Sequence, residues 1–404
     1  MARVPLVRPE LGDAEAEAAA RVVRSGWLTQ GAEVAAFEAE FAAAVGAPHA
    51  VAVSNCTVAL QLALAAVGVR PGDDVVTVSH SFIATANAVL AIGARPVFVD
   101  VEPDTLGLDP ARLEESITQR TRAVLCVHQL GFPCDLERIL EIAGSRGLPV
   151  IEDAACALGS ELEWRGAWER IGRPRGAVAC FSLHPRKLVT TGDGGMLTTR
   201  DAELASRFRL LRQHAMSIPD SVRHQADRVV FEEYLEPAYN YRLTDLQAAV
   251  GRPQIARLAA IVAERRRLAA AYHEALARNA VLCPPRERPA ARTNWQSYPT
   301  RLREGGSLGQ TAVLQFLLDR GVAGKRGVGN AHQEPAYRSR AAWSCGPAGC
   351  ALDCAPGTCR RLATSERLRD DTVLLPLYHG MKQAEQAQVL AALEELQRSA
   401  GGKP

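Results

Sequence analysis

Lysine is nearly missing from this chain. Lys187, Lys325, Lys382 and Lys403 are the four in 404 residues, against 47 lysines and arginines together. Positive charge is written almost wholly as arginine, so each lysine asks for a reason peculiar to an amine. An excess of one charge sign is missing too. Basic and acidic residues number 47 and 45, for a formal net charge of +2, which argues against a nucleic-acid tail or a polybasic membrane patch and leaves small substrates, anionic ones included. No apolar run is long enough to span a bilayer, and the opening MARVPLVRPELGDAEAEAAA has no apolar signal core, so a cytoplasmic protein with neither nucleic-acid nor membrane partners is expected. Internal repeats are absent. A disulfide framework is not indicated either: Cys56, Cys126, Cys134, Cys156, Cys180 and Cys283 are scattered through strand-like and turn-like segments, as suits reduced, mostly buried thiols.

What is present is an alternation. Between about residues 50 and 215, Val- and Ile-rich runs (AVAVS, DDVVTVS, RPVFVDV, TRAVLCV, LPVIEDA, GAVACFSL, GGMLTTR) are separated, through most of the stretch, by helical patterns. Runs too apolar for one-sided strands, spaced by helices, predict an α/β domain with a mostly parallel sheet covered on both faces. A helical stretch from Leu246 to about Ala277 follows, and Pro253 should kink it or end a first helix. A smaller C-terminal domain is expected from QSYPTRL, TAVLQFLLDRG, TVLLPLY and a last helix. The division is placed at 1–250 and 251–404, with a Gly/Pro/Cys-rich loop insertion at 343–361.

Ligands of an open parallel sheet bind at the carboxyl ends of its strands. After AVAV come Ser54, Asn55, Cys56 and Thr57 at a helix start, which serves either as a plain cap or as a phosphate site on free N–H groups. After LPVI come Glu152 and Asp153. Such an acid is often a plain cap or salt-bridge partner, but burial makes it costly to charge without a cationic partner, and a protonated pyridine nitrogen would serve. In SLHPRKLVTTGDGG, residues 182–195, a phosphate-binding P-loop is excluded by order, because the glycines follow Lys187 and Leu188 stands where Ser or Thr is required. A Schiff-base amine remains, a role closed to arginine, beside the plainer reading of a solvated lysine. An acid, an amine and a phosphate-type helix start together match the needs of pyridoxal phosphate.

With these residues in view, the sequence resembles the DegT/DnrJ/EryC1/StrS family of pyridoxal-phosphate-dependent sugar aminotransferases, of the aspartate aminotransferase fold (fold type I). The resemblance rests on SGWLTQG (25–31), SNCTVAL (54–60), SFIATANAV (81–89), EDAACALGS (152–160), FSLHPRKLVTTGDGGML (181–197), YNYRLTDLQAAVG (239–251), AHQEPAY (331–337) and LLPLYHGM (374–381), eight segments in order across nearly the whole chain. It implies a large domain with a seven-stranded, mostly parallel sheet and a smaller α+β domain. It further implies that Lys187 is the Schiff-base lysine and proton shuttle, that Asp153 pairs with the pyridine nitrogen, that Phe82 stacks on the ring, and that Cys56, Thr57 and Ser182 hold the phosphate. Asn240 matches a residue that reaches the cofactor phosphate of the neighbouring subunit, implying a homodimer with shared active sites. His184, Tyr241, Arg242 and His332 border the substrate pocket in the family, although an Arg after a Tyr serves equally well as a salt-bridge partner.

Three features depart from the family pattern. Cys156 stands where many members carry Gln or His near the cofactor hydroxyl, Pro253 falls in a helix usually uninterrupted, and Cys345, Cys350, Cys354 and Cys359 cluster in the insertion. Four thiols suit zinc or an iron–sulfur cluster, but the paired C-x-x-C form is lacking, so disulfides or free thiols are preferred and no metal is assigned. The expected reaction moves an amino group from L-glutamate or L-glutamine to a nucleotide-linked keto-sugar, in amino-sugar or antibiotic biosynthesis. A cyclitol or other cyclic ketone as acceptor, and a non-catalytic pyridoxal-phosphate-binding protein, are the alternatives.

Overall fold

The computed structural model describes residues 3–401 except 220–222, 225, 307, 340–341 and 347–357. Its centre is a seven-stranded sheet of β1 (His49–Val53), β2 (Asp74–Val78), β3 (Arg95–Val99), β4 (Thr121–Val127), β5 (Val150–Asp153), β8 (Val178–Ser182) and β9 (Gly195–Thr199), in the order β1-β9-β8-β5-β4-β2-β3. Every neighbouring pair is parallel except those of β9, which runs antiparallel to both β1 and β8. The strands are buried over nearly their whole length, β2 at all five positions, as expected of Val-rich runs covered on both faces. The expected α/β class with its mostly parallel sheet is what the chain builds.

The helices longer than one turn are α1 (Asp13–Ser25), α2 (Ala32–Val45), α3 (Cys56–Ala66), α4 (Ala84–Ala91), α5 (Leu136–Ser145), α6 (Ala202–Leu211), α7 (Asp245–Ala256), α8 (Leu258–Leu276), α9 (Gln310–Asp319), α10 (Ala363–Asp371) and α11 (Gln383–Gly401). α3 is apolar nearly all round and buries Val58, Ala59, Leu60, Leu62, Ala63 and Leu64 against the sheet. On the other face, Phe37 and Phe41 of α2 pack on Phe181 and Met196.

Pro253 does not break the helix where the sequence predicts. α7 runs through it to Ala256, and the interruption comes at Arg257, whose φ of −93° and ψ of 2° lie outside the helical region. A proline removes one N–H bond and crowds the preceding turn. Here the Gln254 side chain donates to the Val250 carbonyl at 2.7 Å within the helix and to the Thr190 carbonyl at 2.7 Å, tying the turn after the proline to a neighbouring segment.

A four-stranded antiparallel sheet follows: β10 (Leu282–Cys283), β12 (Tyr298–Leu302), β14 (Thr372–Leu375) and β13 (Lys325–Arg326), in that order. The chain's beginning joins this region, since Val4 bridges to Val322, donating to the Gly321 carbonyl and accepting from the Ala323 N–H. A third sheet, unforeseen in the sequence, pairs β6 (Glu161–Trp164) with β7 (Ala167–Arg170) across a turn in which Arg165 and Gly166 both have positive φ, and adds β11 (Ala291–Arg292). No helix of the described residues is long and apolar enough to cross a membrane.

Candidate active site

Strand alternation at the end of β5 sends two neighbouring acids to opposite sides. Asp153 is 5% exposed. One of its carboxylate oxygens accepts from Thr85 Oγ1 at 2.7 Å and the other from the Ala155 N–H at 3.2 Å. Burial holds its pKa above the ordinary carboxylate value, although the Thr85 and Ala155 bonds and the Lys187 charge pull it down. Among the described residues no ion pair reaches it. Glu152 is instead fully engaged: Oε2 accepts from His128 Nε2 at 3.0 Å and Oε1 from the Gly176 N–H at 3.0 Å. The Cys134 N–H donates to His128 Nδ1, which assigns the ring proton to Nε2.

Lys187 follows β8, the strand beside β5. Its Nζ lies 3.0 Å from Cys156 Sγ and its N–H donates to the His184 carbonyl at 2.9 Å. Burial alone would lower its pKa, but the Cys156 sulfur first, and Asp153 after it, hold the free amine above the ordinary lysine value. Phe82 is 74% exposed, an aromatic face left open one turn before Thr85, whose N–H donates to the Phe82 carbonyl at 3.1 Å. The residue that bonds Asp153 and the open ring therefore belong to the same turn.

Helix α3 begins beyond the end of β1. Asn55 caps it by accepting the Val58 N–H at 3.1 Å, and the first intrahelical bond is Ala59 N–H to the Asn55 carbonyl. The N–H groups of Cys56 and Thr57 precede that ladder and point outward as donors for an anion. Gly195 of β9 passes directly beneath, where a Cβ would come within 2.5 Å of the Asn55 backbone. Burial raises the Cys56 thiol well above its ordinary value, so it stays neutral and does not repel an anion. Ser182 ends β8, its Oγ accepting from the His184 N–H at 3.4 Å. A buried acid lacking a cation, an exposed aromatic plane, an open helix start and an amine form a donor set that could hold pyridoxal phosphate.

The remaining expected residues divide. Asn240 is exposed and bridges to Gln213 through its backbone. Tyr241 accepts the Ser54 N–H on its carbonyl at 2.8 Å, donates its hydroxyl to Gln61 at 3.0 Å and stacks on Tyr239. Arg242 bridges to Val53, and its guanidinium has no partner among the described residues. His184 is exposed; partial burial, with Arg186 and Lys187 nearby, keeps its pKa below the ordinary imidazole value. His332 is 2% exposed, with Nδ1 2.6 Å from Ser79 Oγ and Nε2 3.1 Å from Glu366, which makes it an internal link instead of an open pocket wall. Of the cysteine cluster, Cys350 and Cys354 lie outside the described residues, while Cys345 and Cys359 are buried beside Phe98, Tyr337 and Trp343.

Sequence reasoning missed Thr85, Asn294 and Gln296. Asn294 Nδ2 donates to the carbonyls of Cys156 (2.9 Å) and Leu158 (2.8 Å), and Gln296 Nε2 donates to the Arg186 carbonyl (2.6 Å). Only Thr85 carried a signal, as a polar residue on the buried face of α4. A cavity of about 690 Å³ between α1, α2 and α7, lined by Ala18, Arg21, Ala43 and Arg252, contains none of these groups.

The geometry can be set beside known proteins. The chain is 41% identical over 301 residues to the spore coat polysaccharide biosynthesis protein SpsC of Bacillus subtilis (strain 168), covering 74% of this chain and 76% of that protein. Among solved structures, the aminotransferase TlmJ from Streptoalloteichus hindustanus has a TM-score of 0.83 at 33% identity, over 97% of this chain and 99% of that one. DesV of S. venezuelae, solved with a ketimine intermediate, has a TM-score of 0.84 at 33% identity, over 98% and 99%. The family model spans residues 9–394, and the protein belongs to the DegT/DnrJ/EryC1/StrS aminotransferase family.

Proposed function

We propose that this aminotransferase binds pyridoxal phosphate and moves an amino group from L-glutamate or L-glutamine to the keto group of a nucleotide-linked keto-sugar. The observation that carries the reading is the convergence of Lys187, Asp153, Phe82 and the start of α3 at neighbouring strand ends. When bound, the cofactor supplies an electron sink for negative charge at the donor's α carbon. The chain's own groups do the rest. Lys187 Nζ would anchor the cofactor at its aldehyde, with loss of water, and when free would take and return the proton at the α carbon. The Asp153 carboxylate would keep a proton on the ring nitrogen, the Phe82 face would cover the ring, and the Cys56 and Thr57 N–H groups with the Thr57 and Ser182 hydroxyls would hold the phosphate.

A charged acceptor suits the mouth of the site. Arg186 and Lys325 have no carboxylate partner among the described residues, and burial followed by the Arg186 charge holds Lys325 below the ordinary lysine value, as expected of two cations sharing one face. A diphosphate complements such a pair. The kinship with a polysaccharide biosynthesis protein supports a sugar on the same molecule. The enzyme works as a homodimer: Val229 and Phe231, 81% and 84% exposed, with Tyr234 and Leu235, present an apolar arm that a second copy would cover. Asn240 of one protomer then serves the phosphate site of the other.

The test supplies purified protein with pyridoxal phosphate, each donor in turn, and a panel of nucleotide-linked keto-sugars beside neutral cyclic ketones. Expected are borohydride-stable attachment of the cofactor to the Lys187 peptide and an amine on a nucleotide-linked product. Failure to take up the cofactor, or preference for a neutral ketone, would overturn the reading.

A further inference from the structure

We propose that Cys156 is a positioning residue for Lys187, an acceptor on which the amine docks while it carries a proton, between taking that proton and returning it. The inference rests on the reading that Lys187 is the reacting amine, but it concerns the chain's own geometry. Lys187 Nζ donates to Cys156 Sγ at 3.0 Å, and one short segment fixes both ends of that contact. Asn294, fully buried, holds the Cys156 carbonyl, and Gln296, two residues on, holds the carbonyl of Arg186, the residue before Lys187. The Gln296 N–H in turn donates to Asn294 Oδ1 at 2.8 Å, and the Asn294 N–H to Ser160 Oγ at 3.0 Å, so the clamp is itself braced. Trp295 between them has a φ of 52°, a left-handed conformation uncommon for a bulky side chain and sustained only where surroundings impose it.

The groups acting on Nζ are Cys156 from the loop after β5, Asp153 from β5 and Cys56 from α3, with His184 on its own loop. Among the described residues Cys156 is the one that accepts a hydrogen bond from it. An acceptor of an N–H bond favours the charged form of the amine against the cost of burial. In catalytic terms the docked ammonium keeps the proton it must return, and stays within reach of the reaction centre instead of swinging to solvent.

The test uses the cofactor-free protein and competitive acetylation of Lys187 by acetic anhydride across the alkaline range, quantified by peptide mass spectrometry. We expect the Cys156→Ala midpoint to fall by about one pH unit, a roughly tenfold larger neutral fraction at a given pH. Cys156→Ser, which keeps an acceptor, should shift less than half as far. Cys156→Val reads the same effect if the alanine variant fails to fold, and thermal melting identifies such a failure. A midpoint unmoved in the Ala or Val variant, or a Ser variant as far displaced as Ala, would overturn the proposal. Because no cofactor is present, that result is separate from failure of the wild-type protein to take up pyridoxal phosphate, which would instead sink the functional reading.

Discussion

The two faces of β5 at its carboxyl end differ more than their sequence suggests. Glu152 and Asp153 are one peptide bond apart and 1% and 5% exposed, yet one carboxylate is bound by a histidine and a backbone N–H while the other faces the lysine loop with only a hydroxyl and a long N–H bond. Burial alone therefore does not distinguish a structural acid from a functional one. The distinction lies in the partner. An acid whose needs are met inside the fold strengthens the fold, and an acid whose needs are unmet is held ready for something that arrives.

That contrast can be broken from either side. Its strongest test is turnover: Asp153→Asn should lower kcat at saturating substrates by about 10²–10⁴-fold, the range of a lost acid–base contribution, with the fold intact by circular dichroism. A loss under about tenfold would show that the proton on the cofactor ring does not depend on Asp153. Next in size is the opposite face. Glu152→Ala leaves the His128 and Gly176 donors buried without an acceptor and should cost about 3 kcal/mol of stability in urea unfolding, while turnover per folded molecule changes little.

The smallest effect is the most diagnostic. Asp153 has a folded pKa above its unfolded one, so both states hold the proton at low pH, and the unfolded chain releases it first as pH rises past the ordinary carboxylate value. Stability contributed by the protonated acid is thus lost on going toward neutrality. In cofactor-free protein, Asp153→Asn should gain stability over wild type as the pH rises past the ordinary carboxylate value toward neutrality, read as a difference in melting midpoint. A variant that loses ground over that interval would mean that Asp153 already has its cation inside the fold.

Much of this was legible in advance, for a physical reason. The seven strands of the central sheet are buried on both faces, so apolar residues, Val above all, fill most of their positions, and the runs stand out from helical spacers. The hairpin of Glu161–Trp164 and Ala167–Arg170 was invisible because its strands are half-exposed and charged, although Arg165–Gly166 carries the positive-φ chemistry of a tight turn. Lys187 and Asp153 could be named from their place after strands. The Asn294 and Gln296 clamp could not: a buried amide that satisfies distant carbonyls follows no periodicity, and its partners lie more than a hundred residues away in the chain. His332 shows the converse, since its motif segment suggested a pocket residue, while both ring nitrogens are spent on Ser79 and Glu366.

The bridge of Val4 to Val322 ties the first turns of the polypeptide to a point about four fifths of the way along it. During synthesis the leading segment has no place to settle until Gly321 and Ala323 have left the ribosome, by which time the central sheet can already have formed. Contacts so distant in sequence form late and slowly. The Val4 segment therefore acts as a closing latch, and a substitution that breaks this bridge should delay the last step of folding while leaving formation of the central sheet unchanged.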